Sequence, residues 1–287
     1  MEIKIAKNYG FCAGVKNALE IVNKTVLTSK DKKIYMLNKI VHNQNVIEQI
    51  KNLGVIILDD SSLTNEEKIK SISEGILIFS AHGHDKKLDL LAKKQNLEIV
   101  DTTCKKVLLN IKQIQNALLE NKDVVYIGIR NHPETEASLA ISDKIIFLDF
   151  FSPDYSKLNN LKNISIHNQT TLIQDDLIKI YTKIKQICQN VEVHNDICFA
   201  TSLRQKSLLE VTDEDLIIII GDKISSNSTR LYEVGKSLYP NRTVLQINSL
   251  EELTKFDLSK YKKGFITAGA STPDEVINPI IKYLQNY

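Results

Sequence analysis

Six short apolar runs, each ending in a polar cluster, constrain the fold of this chain more than any other feature. The runs are rich in β-branched residues, and amphipathic helix patterns recur between them, as at 15–26, 107–119 and 178–187. Such runs are typical of strands buried on both faces of a parallel sheet, with helices as crossovers. The pattern therefore predicts an α/β fold built from βαβ units. The clusters that close the runs are His42-Asn43, Ala81-His82-Gly83-His84, Asn131-His132-Pro133-Glu134, Asn168-Gln169-Thr170-Thr171, Ser225-Ser226-Asn227 and Ala268-Gly269-Ala270-Ser271-Thr272-Pro273.

These clusters fall where a parallel α/β sheet binds its ligands, at the carboxyl ends of the strands. A single cluster carries little information, because Ser, Thr, Asn and Gly are common in any strand-to-helix turn. Six clusters, three of which contain a histidine, favour a functional site. Thr272-Pro273-Asp274 also predicts a helix start, with Thr or Ser as the cap and Pro273 in the first turn.

Composition excludes some classes of function. Hydrophobic residues make up 43 % of the 287 residues, which is enough for a packed core. The net charge of +2 gives no electrostatic footprint for nucleic acid. No apolar stretch approaches the roughly 18 residues of a membrane span, and residues 1–6 read as a strand and not as a signal peptide. We therefore expect a cytoplasmic protein with reduced cysteines and with no nucleic-acid or membrane partner.

Three of the four cysteines are almost evenly spaced. Cys104 follows Cys12 by 92 residues and precedes Cys198 by 94, about one α/β unit in each case. Cys12 lies between glycines that open a helix, Cys104 follows an apolar run, and Cys198 precedes a helix pattern. Helix N-termini favour the thiolate, which is the form that binds metals. Cys188 instead lies on the apolar face of a helical pattern, where we expect a small buried hydrophobe.

Spacing alone leaves the role of these three thiols open. They could be core residues, since free cysteine is often buried. They could bind zinc as three cysteines with a histidine or water. They could also hold a [4Fe–4S] cluster through three of its irons, leaving the fourth without a protein ligand.

The motifs, taken in order along almost the whole chain, resemble those of the IspH (LytB) family. Any one of them is weak, whereas all of them in sequence are highly specific. They are Gly10-Phe11-Cys12-Ala13-Gly14-Val15, Val41-His42-Asn43, Phe79-Ser80-Ala81-His82-Gly83, His132-Pro133-Glu134, Gln169-Thr170-Thr171-Leu172, Ser225-Ser226-Asn227-Ser228 and Ala268-Gly269-Ala270-Ser271.

The resemblance implies a fold, a cofactor and a reaction. The family consists of 4-hydroxy-3-methylbut-2-enyl diphosphate reductases, which catalyse the last step of the methylerythritol phosphate route to isoprenoids. The implied fold is α/β, with three similar α/β units in a pseudo-three-fold trefoil around a central [4Fe–4S] cluster held by Cys12, Cys104 and Cys198. The units would span 14–100, 101–195, and 196–287 with the N-terminal strand 1–13.

The resemblance also assigns residues to a pocket for the diphosphate substrate. Glu134 is the implied proton donor, and Thr170 or Thr171 would relay or orient that proton. We expect a flavodoxin or a ferredoxin as the electron donor and a monomer or homodimer. The implied substrate-binding residues are His42, His82, His132, Thr170, Thr171, Ser225, Ser226, Asn227 and Ser271.

The chain departs from the family pattern at a few positions near these motifs. The second ligand usually lies in Asp-Ala-Thr-Cys-Pro, and here Lys105 replaces the proline. Asn131 stands where a glycine usually precedes His-Pro-Glu, and Ala137-Ser138 replace Gly-Thr. Asn8 and Tyr9 precede the first cysteine motif, where an arginine is usual. No ligand and no candidate acid is lost.

Two other functions compete with the reductase. A quinolinate-synthase-like dehydratase also uses three cysteines and an open iron, but the histidine and Thr-Thr motifs fit it poorly. A cluster-based regulator would need a nucleic-acid or protein partner, and the near-neutral charge argues against it. His84, His167 and His194 match no motif and are expected to be structural or surface residues.

Overall fold

The computed structural model of the protein describes residues 1–287. Twelve strands and eleven α-helices follow one another along the chain, with an α-helix at every strand-to-strand connection but one. In chain order the elements are β1 (Glu2–Ile5), α1 (Ala13–Thr28), β2 (Ile34–Leu37), α2 (Gln44–Asn52), β3 (Ile56–Leu58), α3 (Asn65–Lys70), β4 (Gly75–Phe79), α4 (Lys87–Lys94), β5 (Leu97–Asp101), α5 (Lys105–Leu119), β6 (Asp123–Gly128), α6 (Pro133–Leu139), β7 (Ile146–Asp149), β8 (Asn163–Asn168), α7 (Gln174–Ile187), β9 (Asn190–Val193), α8 (Phe199–Ser207), β10 (Leu216–Ile220), α9 (Ser226–Leu238), β11 (Thr243–Ile247), α10 (Leu250–Leu253), β12 (Lys263–Ala268) and α11 (Asp274–Gln285).

The strands form three similar sheets of four, and every strand pair is parallel. The orders are β1-β12-β10-β11, β3-β2-β4-β5 and β7-β6-β8-β9. Two crossover-connected strands occupy the middle of each sheet. The predicted α/β class with three similar units is thereby confirmed.

The six apolar runs of the sequence are the two middle strands of each sheet. β10 is buried along its whole length, whereas the edge strand β9 alternates between exposed and half-buried residues. A middle strand has helices on both faces and neighbouring strands on both edges, so its side chains are removed from solvent. The edge strands β3, β7 and β11 are mainly half-buried, although β3 and β7 are also apolar in sequence.

Strand β10 shows how both faces of a sheet are filled. Leu216, Ile218 and Ile220 pack into the cluster formed with α11, and Ile217 and Ile219 pack into the cluster on the opposite face. All five side chains are fully buried. Each contributes about 1.5–3 kcal/mol through removal of apolar surface from water. The continuous run therefore stabilises two layers of helices at once.

The three predicted helices are confirmed as α1, α5 and α7, and two details are corrected. Cys188 lies just after the end of α7 and not within it, although it is buried among apolar side chains as expected. Pro273 is the N-cap of α11 and not part of its first turn, while Thr272 donates its hydroxyl to the carbonyl of Ile220. No helix is both long and apolar enough to cross a lipid bilayer.

The chain divides into two compact units. We call Met1–Lys16, Val41–Gln49 and Cys198–Tyr287 the terminal unit, which contains the β1-β12-β10-β11 sheet. Asn17–Ile40 and Ile50–Ile197 form the middle unit, which contains the other two sheets. The three-segment boundaries expected from the sequence stay a prediction.

Candidate functional site

The predicted site residues are divided between the two compact units. All are buried or half-buried. The terminal unit holds Cys12, His42, Cys198, Ser225, Ser226, Asn227 and Ser271, and the middle unit holds His82, Cys104, His132, Glu134, Thr170 and Thr171.

Glu134 is the only carboxylate among these residues, and it is deeply buried. Its side chain is 2 % exposed, in the first turn of α6 after β6. Thr170, directly beyond the end of β8, donates its backbone N–H to Oε1 at 2.8 Å and its hydroxyl to Oε2 at 2.9 Å. β6 and β8 are neighbours in one sheet, and this pairing brings together two residues that are 36 positions apart.

Burial sets the proton affinity of Glu134. Loss of solvent raises its pKa from 4.5 to about 7, against the two hydrogen bonds from Thr170, which favour the carboxylate. The charge of Asp196 raises the pKa further, and that of Lys106 lowers it. A carboxyl group with a pKa near 7 can hold and release a proton near neutral pH, as a general acid must.

His132 is the N-cap of the helix that carries Glu134. Its Nδ1 accepts the backbone N–H of Glu134 at 3.2 Å, so a neutral ring carries its proton on Nε2. Asn131, just before it, has a φ of 61° in the left-handed region. Glycine and asparagine are the residues that adopt this conformation most readily, so Asn131 preserves the turn where the family usually has glycine.

His82 lies next to His132 in the middle unit. The two rings meet edge to face, with centroids 5.8 Å apart, and Ser80 Oγ lies 3.3 Å from His82 Nδ1. Gly83, with a φ of +87°, lets this turn approach α5 and α6 closely, because an added Cβ would lie 3.3 Å from Val107 and 3.4 Å from Ala137. The turn thus joins the ends of two sheets.

Gln169 is a residue that the sequence motif included but for which no role was predicted. Its Oε1 accepts the Ile129 N–H at 3.0 Å and its Nε2 donates to Thr171 Oγ1 at 2.8 Å. The buried amide therefore ties the β6 turn to the Thr170-Thr171 segment and fixes the position of Thr170 relative to Glu134.

Cys12, Cys104 and Cys198 have the same backbone role at three helix starts. The carbonyl of each accepts the first helical N–H, from Lys16, Leu108 and Ser202, at 3.0 Å in every case. None of the three is in a disulfide, and all three are half-buried. Lys105 is therefore the first helical residue of α5, a position that proline and other residues both tolerate, which accounts for that departure.

Three thiols at helix starts are a donor set that would suit an iron–sulfur cluster, since such a cluster binds each thiolate through a different iron. No group of three or more His, Cys, Asp or Glu side chains is placed to hold a single metal ion. Arg204 adds support, since its buried guanidinium interacts electrostatically with Cys12 and Cys198, and its Nε has no hydrogen-bond acceptor.

Hydroxyl and amide groups gather in the terminal unit at the ends of β10 and β12. Ser225 caps α9, and its Oγ lies 3.1 Å from that of Ser271. Asn227 accepts the Ala270 N–H at 2.8 Å and donates to Thr201 Oγ1 at 3.1 Å. A helix N-terminus flanked by hydroxyls is suited to bind phosphate.

The three histidines outside the motifs make structural contacts. His84 stacks on Phe79 and pairs with Asp89. His167 is fully buried between Ser165 and Asp196, at 3.0 and 3.2 Å, and His194 stacks on it. These contacts agree with the expectation that they are structural.

Comparison with known proteins gives matches over the whole chain. The family model described as LytB protein matches residues 3–285. A 4-hydroxy-3-methylbut-2-enyl diphosphate reductase of Symbiobacterium thermophilum is 33 % identical, with 100 % of this chain and 98 % of that protein covered.

Two solved structures share the fold. The E-1-hydroxy-2-methyl-but-2-enyl-4-diphosphate reductase of Plasmodium falciparum is 28 % identical with a TM-score of 0.88, over 99 % of this chain and 88 % of that one. A second, described as (E)-4-hydroxy-3-methyl-but-2-enyl diphosphate reductase, the terminal enzyme of the non-mevalonate pathway, is 31 % identical with a TM-score of 0.71, over 100 % and 99 % of the two chains.

Proposed function

The chain belongs to the LytB family, and from this we propose that it is a [4Fe–4S]-dependent oxidoreductase acting on 4-hydroxy-3-methylbut-2-enyl diphosphate. The reaction removes the allylic hydroxyl as water, takes up two electrons and two protons, and gives isopentenyl and dimethylallyl diphosphate. The observation that carries the proposal is Glu134, a buried acid with a pKa of about 7 whose two oxygens are held by Thr170.

Cys12, Cys104 and Cys198 are the residues that would hold the cluster. When bound, a [4Fe–4S] cluster with three thiolate ligands supplies electrons and an open iron that acts as a Lewis acid. Each of the three cysteines directly precedes the first residue of a helix, α1, α5 or α8.

Glu134 supplies the proton that lets the hydroxyl leave as water. Burial keeps a large fraction of this carboxyl group protonated at neutral pH, and the Thr170 donors fix both oxygens in one orientation. After proton loss, the same two donors stabilise the carboxylate. Thr170 thus orients the protonated carboxyl group before proton transfer and stabilises the carboxylate after it.

The diphosphate would be bound by neutral donors and by histidine. Ser225 and Ser271 form a hydroxyl pair at the start of α9, where the helix dipole favours an anion. The remaining members of the proposed binding set are His42, His82, His132, Thr171, Ser226 and Asn227. His42 and His82 would donate to the diphosphate when protonated, a state that the anionic group favours. The electron donor, a flavodoxin or a ferredoxin, and a monomeric or homodimeric state remain predictions from the family.

Turnover of the anaerobically purified protein tests the proposal. The brown, oxygen-sensitive enzyme should convert the hydroxylated diphosphate into the two isomeric products with a strong artificial reductant as electron source. A preparation with a full cluster and no turnover under these conditions would contradict it.

A further inference from the structure

Arg204 is a buried cation that the sequence motifs do not single out. It lies in α8, six residues after Cys198, and is 5 % exposed. Nη1 donates to the carbonyl of Ala200 at 2.8 Å, and Nη2 donates to the carbonyl of Gly10. Ala200 follows Cys198 by two residues, and Gly10 precedes Cys12 by two. Arg204 therefore links the helix of one candidate ligand to the turn of another.

The backbone conformation of Gly10 directs its carbonyl toward Arg204. Its φ of +68° is in the left-handed region, and an added Cβ would lie 3.1 Å from Ile277. Its own N–H donates to the carbonyl of Ala268 at 3.2 Å, at the end of β12. The turn is therefore fixed to the sheet on one side and to Arg204 on the other.

The charge partners of Arg204 are unusual for a buried arginine. Buried guanidinium groups are normally paired with carboxylates. Burial lowers the pKa of Arg204, and the groups that oppose this shift are Cys12 and Cys198 and not a carboxylate. The Nε of Arg204 is buried and has no acceptor. A buried donor of this kind calls for an explanation, and a nearby anionic cofactor provides one.

A second link between the two cysteine segments does not involve Arg204. The Cys12 N–H donates to the Ala270 carbonyl at 3.2 Å, and the Ala270 N–H donates to Asn227 Oδ1 at 2.8 Å. Asn227 in turn donates to Thr201 in the first turn of α8. Because this path remains when Arg204 is replaced, a neutral variant should keep the fold of the terminal unit.

We propose that Arg204 is a positioning residue that holds the Cys12 turn against the Cys198 helix and supplies the positive charge that favours reduction of the cluster they bind. This inference rests on the proposed function. Net charge around an iron–sulfur cluster is one of the factors that set its reduction potential. Loss of a nearby positive charge disfavours the extra electron and makes the potential more negative.

The test compares the variants R204M, R204Q and R204K with wild type as anaerobically prepared holoenzymes. Iron per chain and the midpoint potential of the cluster would be measured, the latter by a redox titration followed by electron paramagnetic resonance. R242M is the matched control, because Arg242 also bridges two backbone carbonyls of the same unit, those of Thr212 and Glu214. R204M and R204Q should shift the potential to more negative values, and R204K and R242M should stay close to wild type.

The potential separates a charge role from a structural one. A neutral variant whose cluster keeps the wild-type potential overturns the inference, whether or not iron content falls. If R204M does not fold, R204Q, which keeps a donor for one carbonyl, carries the same test. A wild-type protein that binds no cluster would overturn the proposed function and this inference together, whereas a wild-type cluster with unchanged variants would overturn the inference alone.

Discussion

Thr170 binds both oxygens of the Glu134 carboxyl group, through its backbone N–H at 2.8 Å and its hydroxyl at 2.9 Å. The two residues follow neighbouring parallel strands of one sheet. Burial opposes ionisation and the two donors favour it, and the balance leaves a pKa of about 7. A carboxyl group with this pKa can hold and release a proton near neutral pH, which is the basis of the role proposed for Glu134.

Replacing the acid with its amide should remove proton donation and keep the shape. For E134Q we expect turnover to fall by about 10²–10⁴-fold, the usual contribution of a general acid, while substrate affinity changes little. Steady-state kinetics and equilibrium binding of the diphosphate would measure both. E136Q is the control, because Glu136 lies on the same helix and is exposed. Wild-type turnover in E134Q would remove Glu134 from this role.

The pH dependence has a definite sign. The acid must be protonated to act, and its pKa in the folded enzyme is about 7. We therefore expect kcat/KM to be high below this pH and to fall about tenfold per unit above it. The profile should be recorded with an artificial reductant whose rate is corrected for pH. A rate that rises through this range would show that the carboxylate, and not the acid, is the active form.

The Thr170 hydroxyl should help to set the pH above which kcat/KM falls. T170V removes the donor to Oε2 and keeps the backbone donor to Oε1, so the carboxylate loses stabilisation and the pKa of Glu134 should rise. The alkaline limb of kcat/KM should then move to higher pH. T182V serves as control, since Thr182 is exposed on α7 and donates only within its helix. A limb that stays in place would contradict the assignment.

Two cysteine variants should differ in iron content. C104S should lose or destabilise the cluster, because it removes one of three ligands. C188S should retain it, because Cys188 is buried among apolar residues of the middle unit and serves packing. Its new hydroxyl is expected to lower the free energy of unfolding by about 1–3 kcal/mol if it finds no partner. Iron and sulfide analysis of the two proteins, with thermal unfolding, would check both statements.

The sequence predicts the middle of each sheet well and its edges poorly. β10 and its equivalents are apolar throughout because helices cover both faces, and that leaves a clear pattern. β9 is half-exposed and has no comparable signal. The apolar pattern starts α7 four residues late, at 178 instead of Gln174, and Pro273 is predicted inside α11 but is its N-cap, since helix ends depend on local geometry that propensity does not fix.

For the candidate site, too, the sequence predicts some features and not others. Motifs pointed to the three cysteines and to Glu134, because their order along the chain is specific. The contact of Glu134 with Thr170 depends on which strands become neighbours, and it could be located only in the structure. Arg204 belongs to none of the motifs, and only the folded structure shows that it binds the carbonyls of Ala200 and Gly10.

The most direct test of the central claim is the Mössbauer spectrum of ⁵⁷Fe-enriched holoenzyme, recorded anaerobically with and without the diphosphate substrate. A [4Fe–4S] cluster on Cys12, Cys104 and Cys198 predicts four irons per chain, one of which changes its spectrum when substrate is added. A cluster with a different number of irons, or a spectrum in which no iron responds to substrate, would contradict this assignment.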